Sequence, residues 1–217
     1  EIGVRSNQKD KKIDYEFSLF HIDIKDMVAA GRGTKFENLG RIFMMGSELS
    51  VQTKINNKIF PDVFITHAFL HSEIKDGILE QYTFISTGGP ISISGNQLPY
   101  CPQNTFIVGM EKTFFSNLLI RGEYKYVDGF YTDFHNLEEV ANLGIQGPVP
   151  SHGILNANIF YNVSGNFKFS LIIKNITDKI YIGSRLHSNP GQQAANLSSG
   201  IIPGPRRQIN FGINYTF

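Results

Sequence analysis

Residues 208–217 read Gln-Ile-Asn-Phe-Gly-Ile-Asn-Tyr-Thr-Phe, apolar at every odd position and polar or Gly at every even one, through to an aromatic carboxy-terminus. Side chains alternate faces along a strand, so this stretch has one apolar and one polar face. A soluble sheet lying on a core uses the same pattern. A pattern that runs to the last residue, and that other strands share, fits a closed sheet set in lipid better.

Working back along the chain, the alternation recurs. Phe167, Phe169, Leu171 and Ile173 oppose Lys168, Ser170 and Lys174, with Ile172 the exception. Leu155, Ala157, Ile159, Tyr161 and Val163 oppose Asn156, Asn158 and Asn162, and Leu118, Ile120, Tyr124 and Tyr126 oppose Arg121, Glu123 and Lys125. Weaker versions surround Phe106 to Glu111, Asp62 to Phe69 and Phe43 to Gln52. From Ile13 to Leu19 the odd residues are apolar, after which Phe20, Ile22 and Ile24 change phase. That slip predicts a bulge or a strand end rising beyond lipid. With Ile2 to Arg5 the count is about nine strands.

Connections alternate in length. Short turns are expected at Ser6 to Asp10, Asn56-Asn57, Ser116-Asn117 and Ser164-Gly165-Asn166, and longer loops near Ala29 to Glu37, Lys75 to Asn96, Thr132 to Pro150 and Gly183 to Gly204. Outer-membrane barrels have short periplasmic turns and long external loops, which puts the carboxy-terminus at the periplasmic side. Tyr15, Tyr124, Tyr126, Tyr161, Tyr215 and Phe217 are expected in interfacial aromatic girdles.

Composition narrows the function. No run of about 18 apolar residues predicts a membrane-spanning helix, but barrel strands need only about 9 to 11 residues, half of them apolar. A net charge of +1 suggests no nucleic-acid partner. The single Cys101 excludes an internal disulfide, and Cys and His show no zinc-site spacing. The amino-terminus carries no signal segment, so the expectation is a fragment that begins partway along a strand. Nine strands do not close in the usual even-numbered way, and an edge in lipid leaves backbone groups unpaired, so further strands are implied.

Several stretches resemble one family. Asn175-Ile-Thr-Asp-Lys-Ile-Tyr-Ile, a Gly-rich loop, and Pro203-Gly-Pro-Arg-Arg-Gln-Ile-Asn-Phe-Gly-Ile-Asn-Tyr-Thr-Phe217 are similar to the carboxy-terminal end of TonB-dependent outer-membrane receptors. Glu1-Ile-Gly-Val-Arg, Phe20-His-Ile-Asp-Ile-Lys-Asp, Asn38-Leu-Gly-Arg with Gly46-Ser-Glu-Leu, and Leu98-Pro-Tyr-Cys-Pro follow in order, so the likeness covers essentially the whole chain. Ile176-Thr177 stands where the family has Leu-Phe, and a second Arg207 follows the Pro-Arg pair. The resemblance implies an all-β, antiparallel transmembrane barrel of about 22 strands, of which residues 1–217 are the carboxy-terminal part without the plug. It implies a bacterial outer-membrane location and energy-coupled uptake of a ferric chelate, a siderophore or ferric citrate. Gly147-Pro-Val-Pro-Ser-His152 and Ser184-Arg-Leu-His-Ser look most like the ferric-citrate type. TonB would act through the plug, Tyr215 and Phe217 would signal to the barrel-assembly machinery, and lipid or lipopolysaccharide would surround the wall. No cofactor and no enzymatic chemistry are implied.

Ferric chelates are usually anionic, and guanidinium groups match carboxylate oxygens bidentately. Arg32 and Lys35 in the first long loop, with Arg185 and His187 in the last, are therefore the candidate ligand contacts, against the alternatives of solvated loop charges or lipopolysaccharide phosphate partners. His67 and His71, with Glu73 beyond, share a strand face at a spacing that could ligate a metal, but interfacial amphipathic residues explain them more simply, and no metal site is assigned. Asp133, His135, Glu138 and Glu139 read as a solvated or cation-bridged acidic patch, and mixed charges such as Glu48, Glu111 and Arg121 as cross-strand or plug contacts. The competing functions are a passive porin or barrel enzyme, and a soluble carbohydrate-binding sandwich. Ser151-His152 lacks a nucleophile elbow, and a sandwich with so many outward aromatics would aggregate.

Overall fold

A computed structural model describes residues 1–6, 12–30, 36–55, 59–79, 89–140, 144, 147–185 and 200–217. The strands in chain order are β1 (Ile2–Ser6), β2 (Ile13–Ile24), β3 (Val28–Ala30), β4 (Phe36–Asn38), β5 (Ile42–Thr53), β6 (Asp62–Ile74), β7 (Ile78–Leu79) and β8 (Ile91–Ser92). Then follow β9 (Asn104–Phe114), β10 (Leu118–Val127), β11 (His152–Asn162), β12 (Phe167–Lys174), β13 (Ile182–Arg185), β14 (Ile201–Pro203) and β15 (Gln208–Tyr215). Nine of them make one sheet in the order β1-β2-β5-β6-β9-β10-β11-β12-β15, every pair antiparallel. This matches the expected strand number. The other six pair as β3–β4, β7–β8 and β13–β14, all inside the long connections and all at one end of the sheet.

Register puts the two faces where the parity of the sequence predicts. Phe169, Ile213, Leu171 and Phe211 fall opposite one another on the apolar face, Lys168 and Asn214 on the polar one. Among the described residues nothing covers the apolar face of β15: Ile209 is 65% exposed, Phe211 67% and Ile213 61%. Such a face is stable only against hydrocarbon. Aromatics gather at the turn end of this face, where Phe167 and Tyr215 have centroids 4.5 Å apart and Tyr215 and Phe217 meet edge to face at 4.9 Å.

The phase change in β2 is not a bulge. β2 pairs with β5 without a break from Ile13↔Thr53 to Ile24↔Ile42, so Phe20, Ile22 and Ile24 share the polar face with Asp14 and Glu16. Phe20 lies against Gly46 and Ile22 is left 42% exposed, while Ile24 is apolar because the loops cover that face at its loop end. There Leu39, Ile42, Ile74, Leu79, Ile93 and Leu98 form a buried cluster, with Ile24, Met27, Met44, Cys101 and Phe134 packed on it. The opposite face changes the other way: the Arg41 guanidinium grips the Asp23 carboxylate at 2.9 and 3.2 Å, and Lys75 pairs with Glu73 at 2.6 Å, both beside Phe43. Register thus removes the bulge, and this exchange of polarity between the faces is what a strand end rising beyond lipid would show.

At the turn end, the β9–β10 reversal is one residue earlier than expected. Phe115 and Ser116 both adopt positive φ, at 51° and 65°, as in mirror-image hairpin turns, and Asn117 N–H donates to Phe114 O.

Candidate functional site

The stem of the last long connection is built by the Asn175–Lys179 stretch and Pro205 to Arg207. Asn175 is 2% exposed at φ 51°. Its Nδ2 donates to Lys179 O and Pro205 O at 2.9 and 3.0 Å, and its Oδ1 accepts Lys179 N–H at 2.9 Å. Asn tolerates this left-handed backbone, and its amide closes the turn. Asp178 accepts from Arg206 Nε and the Arg207 backbone N–H, both at 2.9 Å, so the two ends of the loop are tied by a fork. The Arg206 hydrogen bond, then that of the Arg207 N–H, holds the Asp178 carboxyl well below the usual carboxylate range. A side chain on Gly204 would collide with the Tyr181 ring, which fixes that glycine.

Above the stem, three connections lock together. Arg185, 3% exposed, donates from Nη1 to Gly144 O and from Nε to Pro148 O at 3.1 Å, and its own carbonyl accepts Tyr100 O–H at 2.7 Å. Tyr100 N–H donates to Tyr131 O, Gln97 N–H to Asn136 Oδ1, and Thr132 Oγ1 to Gly147 O at 2.8 Å. The β8–β9, β10–β11 and β12–β15 connections are therefore one body, seated on the buried apolar cluster.

Below this cap the polar face carries fixed charge. The Arg121 guanidinium lies 3.9 Å from the Phe64 ring centroid, between Glu111 at 3.3 Å and Glu123 at 3.4 Å, and Asn156 Nδ2 donates to Glu123. Gly109 makes the space, since a Cβ there would strike the Phe64 ring. Arg5 pairs with Glu16, and Lys54 with Asp14.

Of the predicted contacts, Arg32, Lys35 and His187 lie outside the described residues. Arg185 is in the cap, its guanidinium turned to backbone carbonyls. Tyr215 and Phe217 are on the apolar face at the turn end. His67 and His71 diverge: His67 Nε2 sits 3.1 Å from Asn104 Oδ1, and His71 is 3.8 Å from Glu73. Among the described residues no three His, Cys, Asp or Glu side chains gather as a metal site. Asp133 and His135 meet through the His135 backbone N–H, at 2.9 Å from Asp133 Oδ1. Tyr100 was not singled out from the sequence, and its only signal was its place in the Leu98-Pro-Tyr-Cys-Pro stretch.

Comparison with known proteins follows the geometry. A family model described as "TonB dependent receptor-like, beta-barrel" matches residues 1–176. The catecholate siderophore receptor Fiu of Escherichia coli strain K12 is 23% identical over 185 residues, 85% of this chain and 22% of its own length. The chain thus spans about a fifth of the curated relatives it matches. The siderophore receptor PiuA from Acinetobacter baumannii superposes with a TM-score of 0.71 at 21% identity, over 98% of this chain and 27% of its own. The ferric citrate transporter FecA in unliganded form superposes at 0.74 and 17% identity, over 98% and 30%.

Proposed function

From its membership of the TonB-dependent receptor β-barrel family, whose members are outer-membrane proteins, we propose that this chain forms wall and outer loops of an energy-coupled importer of a ferric chelate. Fiu, PiuA and FecA, by their names, serve siderophores or ferric citrate. The observation that carries the reading is the interlocked loop cap over a charged polar face, with the other face left to lipid.

In this reading Arg32, Lys35 and His187 make first contact with the chelate, and Arg185 holds the loops that present it. Energy enters through a plug that contacts TonB. Tyr215 and Phe217 serve the assembly machinery, and lipopolysaccharide surrounds the charged outer rim near Arg41 and Lys75. Measurement of radiolabelled iron uptake, with ferric citrate and a ferric catecholate as probes, tests this in iron-starved cells carrying the receptor. Saturable uptake that stops when the proton gradient is collapsed is expected, with binding about ten-fold weaker for the triple variant Arg32→Ala, Lys35→Ala, His187→Ala. Uptake indifferent to the gradient and linear in concentration would instead mean a passive porin.

A further inference from the structure

Two neighbouring turns at the middle of the sheet carry apolar tips. Ile59 and Phe60, at the end of the β5–β6 connection, are exposed, as are Phe114 and Phe115 at the β9–β10 reversal. β6 and β9 are adjacent, and Lys112 Nζ donates to Phe60 O at 2.8 Å, which ties one tip to the other. Not every turn is built this way, since the β11–β12 tip reads Ser164-Gly165-Asn166. At the β9–β10 tip the contrast is sharper. A reversal with two left-handed central residues prefers Asn and Gly, and here it holds Phe115 at φ 51° and Ser116 at φ 65°. A bulky side chain in that conformation is strained, and at 90% exposure Phe115 gains almost no burial to offset it. Lys112 lies on the same outward face. Register sets it opposite Ile120, between the Met110–Val63 pair above and the Phe114–Leu118 pair below, so an ammonium stands in an apolar surface. In hydrocarbon such a charge is costly, and it settles where it reaches the polar boundary or an anion there.

We propose that these two tips and Lys112 form a seat for a phospholipid of the periplasmic leaflet. Lys112 takes the headgroup phosphate, Phe60 and Phe115 enter the headgroup boundary beside it, and the acyl chains lie on Met110 and Ile120. An ammonium has three donors and no fixed fork, so it can hold Phe60 O and a phosphate oxygen together. The occupant is lipid because the patch continues the lipid-facing surface: Phe114 heads an unbroken cross-strand row of Leu118, Tyr161, Phe169 and Ile213. The tips belong to the middle strands of the nine and Lys112 to their outward side, so a wall continued from β1 or β15 runs away from the seat and a body in the lumen lies behind it. The strained Phe115 then has its reason outside the chain, in the apolar contact that the boundary supplies. The inference needs the apolar face to meet lipid and does not depend on the solute imported.

Two measurements test the seat on the full receptor in vesicles of phosphatidylethanolamine and phosphatidylglycerol. With the native cysteines replaced by Ser, a spin label on Phe115→Cys should collide more with oxygen dissolved in lipid than with an aqueous nickel chelate, and one on Gly165→Cys the reverse. A label at 115 as wet as that at 165 overturns the seat, and one shielded from both reagents overturns it in favour of a protein partner. Native mass spectrometry of receptor taken from the vesicles in mild detergent then counts retained phosphatidylglycerol. Lys112→Gln is expected to retain about three-fold less than wild type, and Lys112→Arg as much. Phe115→Asn suits the left-handed backbone better, so its thermal unfolding temperature should hold or rise while retention again falls about three-fold. Equal retention by wild type and Lys112→Gln, or equal loss in the Gln and Arg variants, refutes the phosphate contact. Full retention by Phe115→Asn refutes the part given to the aromatic tip.

Discussion

At Asp178 a single carboxylate closes a loop of nearly thirty residues by holding Arg206 and the Arg207 N–H. Its native pKa is depressed, so the stabilisation is complete above the ordinary Asp value of about 4 and is lost only as pH falls through the lower native value. Between pH 8 and 5, hydrogen-exchange protection at the stem of this loop, taken relative to the intrinsic exchange rate at each pH, should therefore stay flat. Asp178→Asn should raise exchange at Tyr181 to Arg185 already at pH 7, and equal protection in the two proteins would show the fork to be dispensable. Arg185 acts on backbone carbonyls. Arg185→Ala would leave the carbonyls of Gly144 and Pro148 without these donors in a buried site, at a cost of about 2–4 kcal/mol to the docking of the loops. Protease cleavage in the 128–151 connection should accelerate accordingly, and Tyr100→Phe should give a smaller acceleration, since it removes one neutral hydrogen bond of about 1 kcal/mol.

At the scale of the strand, parity was legible because period-two alternation is local: the residues that declare a face are two positions apart and need no knowledge of the rest of the fold. The phase change at Phe20 could not be resolved in the same way. Where the new phase ends, at Ile24, its cause is a cluster drawn from Leu39, Ile74, Ile93 and Leu98, far apart in sequence and joined only by the loops. The hairpins β3–β4, β7–β8 and β13–β14 went unread, because two to four residues carry no period. The cap was half legible. Arg185 stood out as a charge in a loop, but its partners are carbonyls of Gly144 and Pro148, which any residue could supply. Asn175 and Asp178 were visible only through resemblance, although the left-handed turn and the Arg206 fork are sufficient physical reasons for both. Spin labels test the strand reading directly. One at Phe169 should be reached by oxygen dissolved in lipid and one at Lys168 by an aqueous nickel chelate. Equal accessibility at the two sites would contradict the register of β12 with β15.

Over the molecule as a whole, the usual placement of residue types is turned round. The buried apolar cluster lies under the outer loops, and an apolar surface with Ile209, Phe211 and Ile213 on β15 has none of the described residues above it. Burial on folding therefore contributes little to holding the nine strands together, and the medium on each face supplies the rest through hydrocarbon outside and water or polar contacts inside. The two faces should then differ sharply in their tolerance of charge at the same height. Phe211 and Asn210 are adjacent near the middle of β15, opposite Leu171 and Ile172. Phe211→Arg should cost about 2–4 kcal/mol, as a cation near the bilayer midplane, and Asn210→Arg close to nothing. Urea unfolding of the receptor in lipid vesicles measures both. The penalty should shrink when the same series is repeated with Tyr215→Arg at the rim, where headgroups and water reach the side chain. A penalty for Asn210→Arg as large as that for Phe211→Arg would mean that both faces are dry, a condition met by a sheet sandwiched in protein and not by the wall of a barrel.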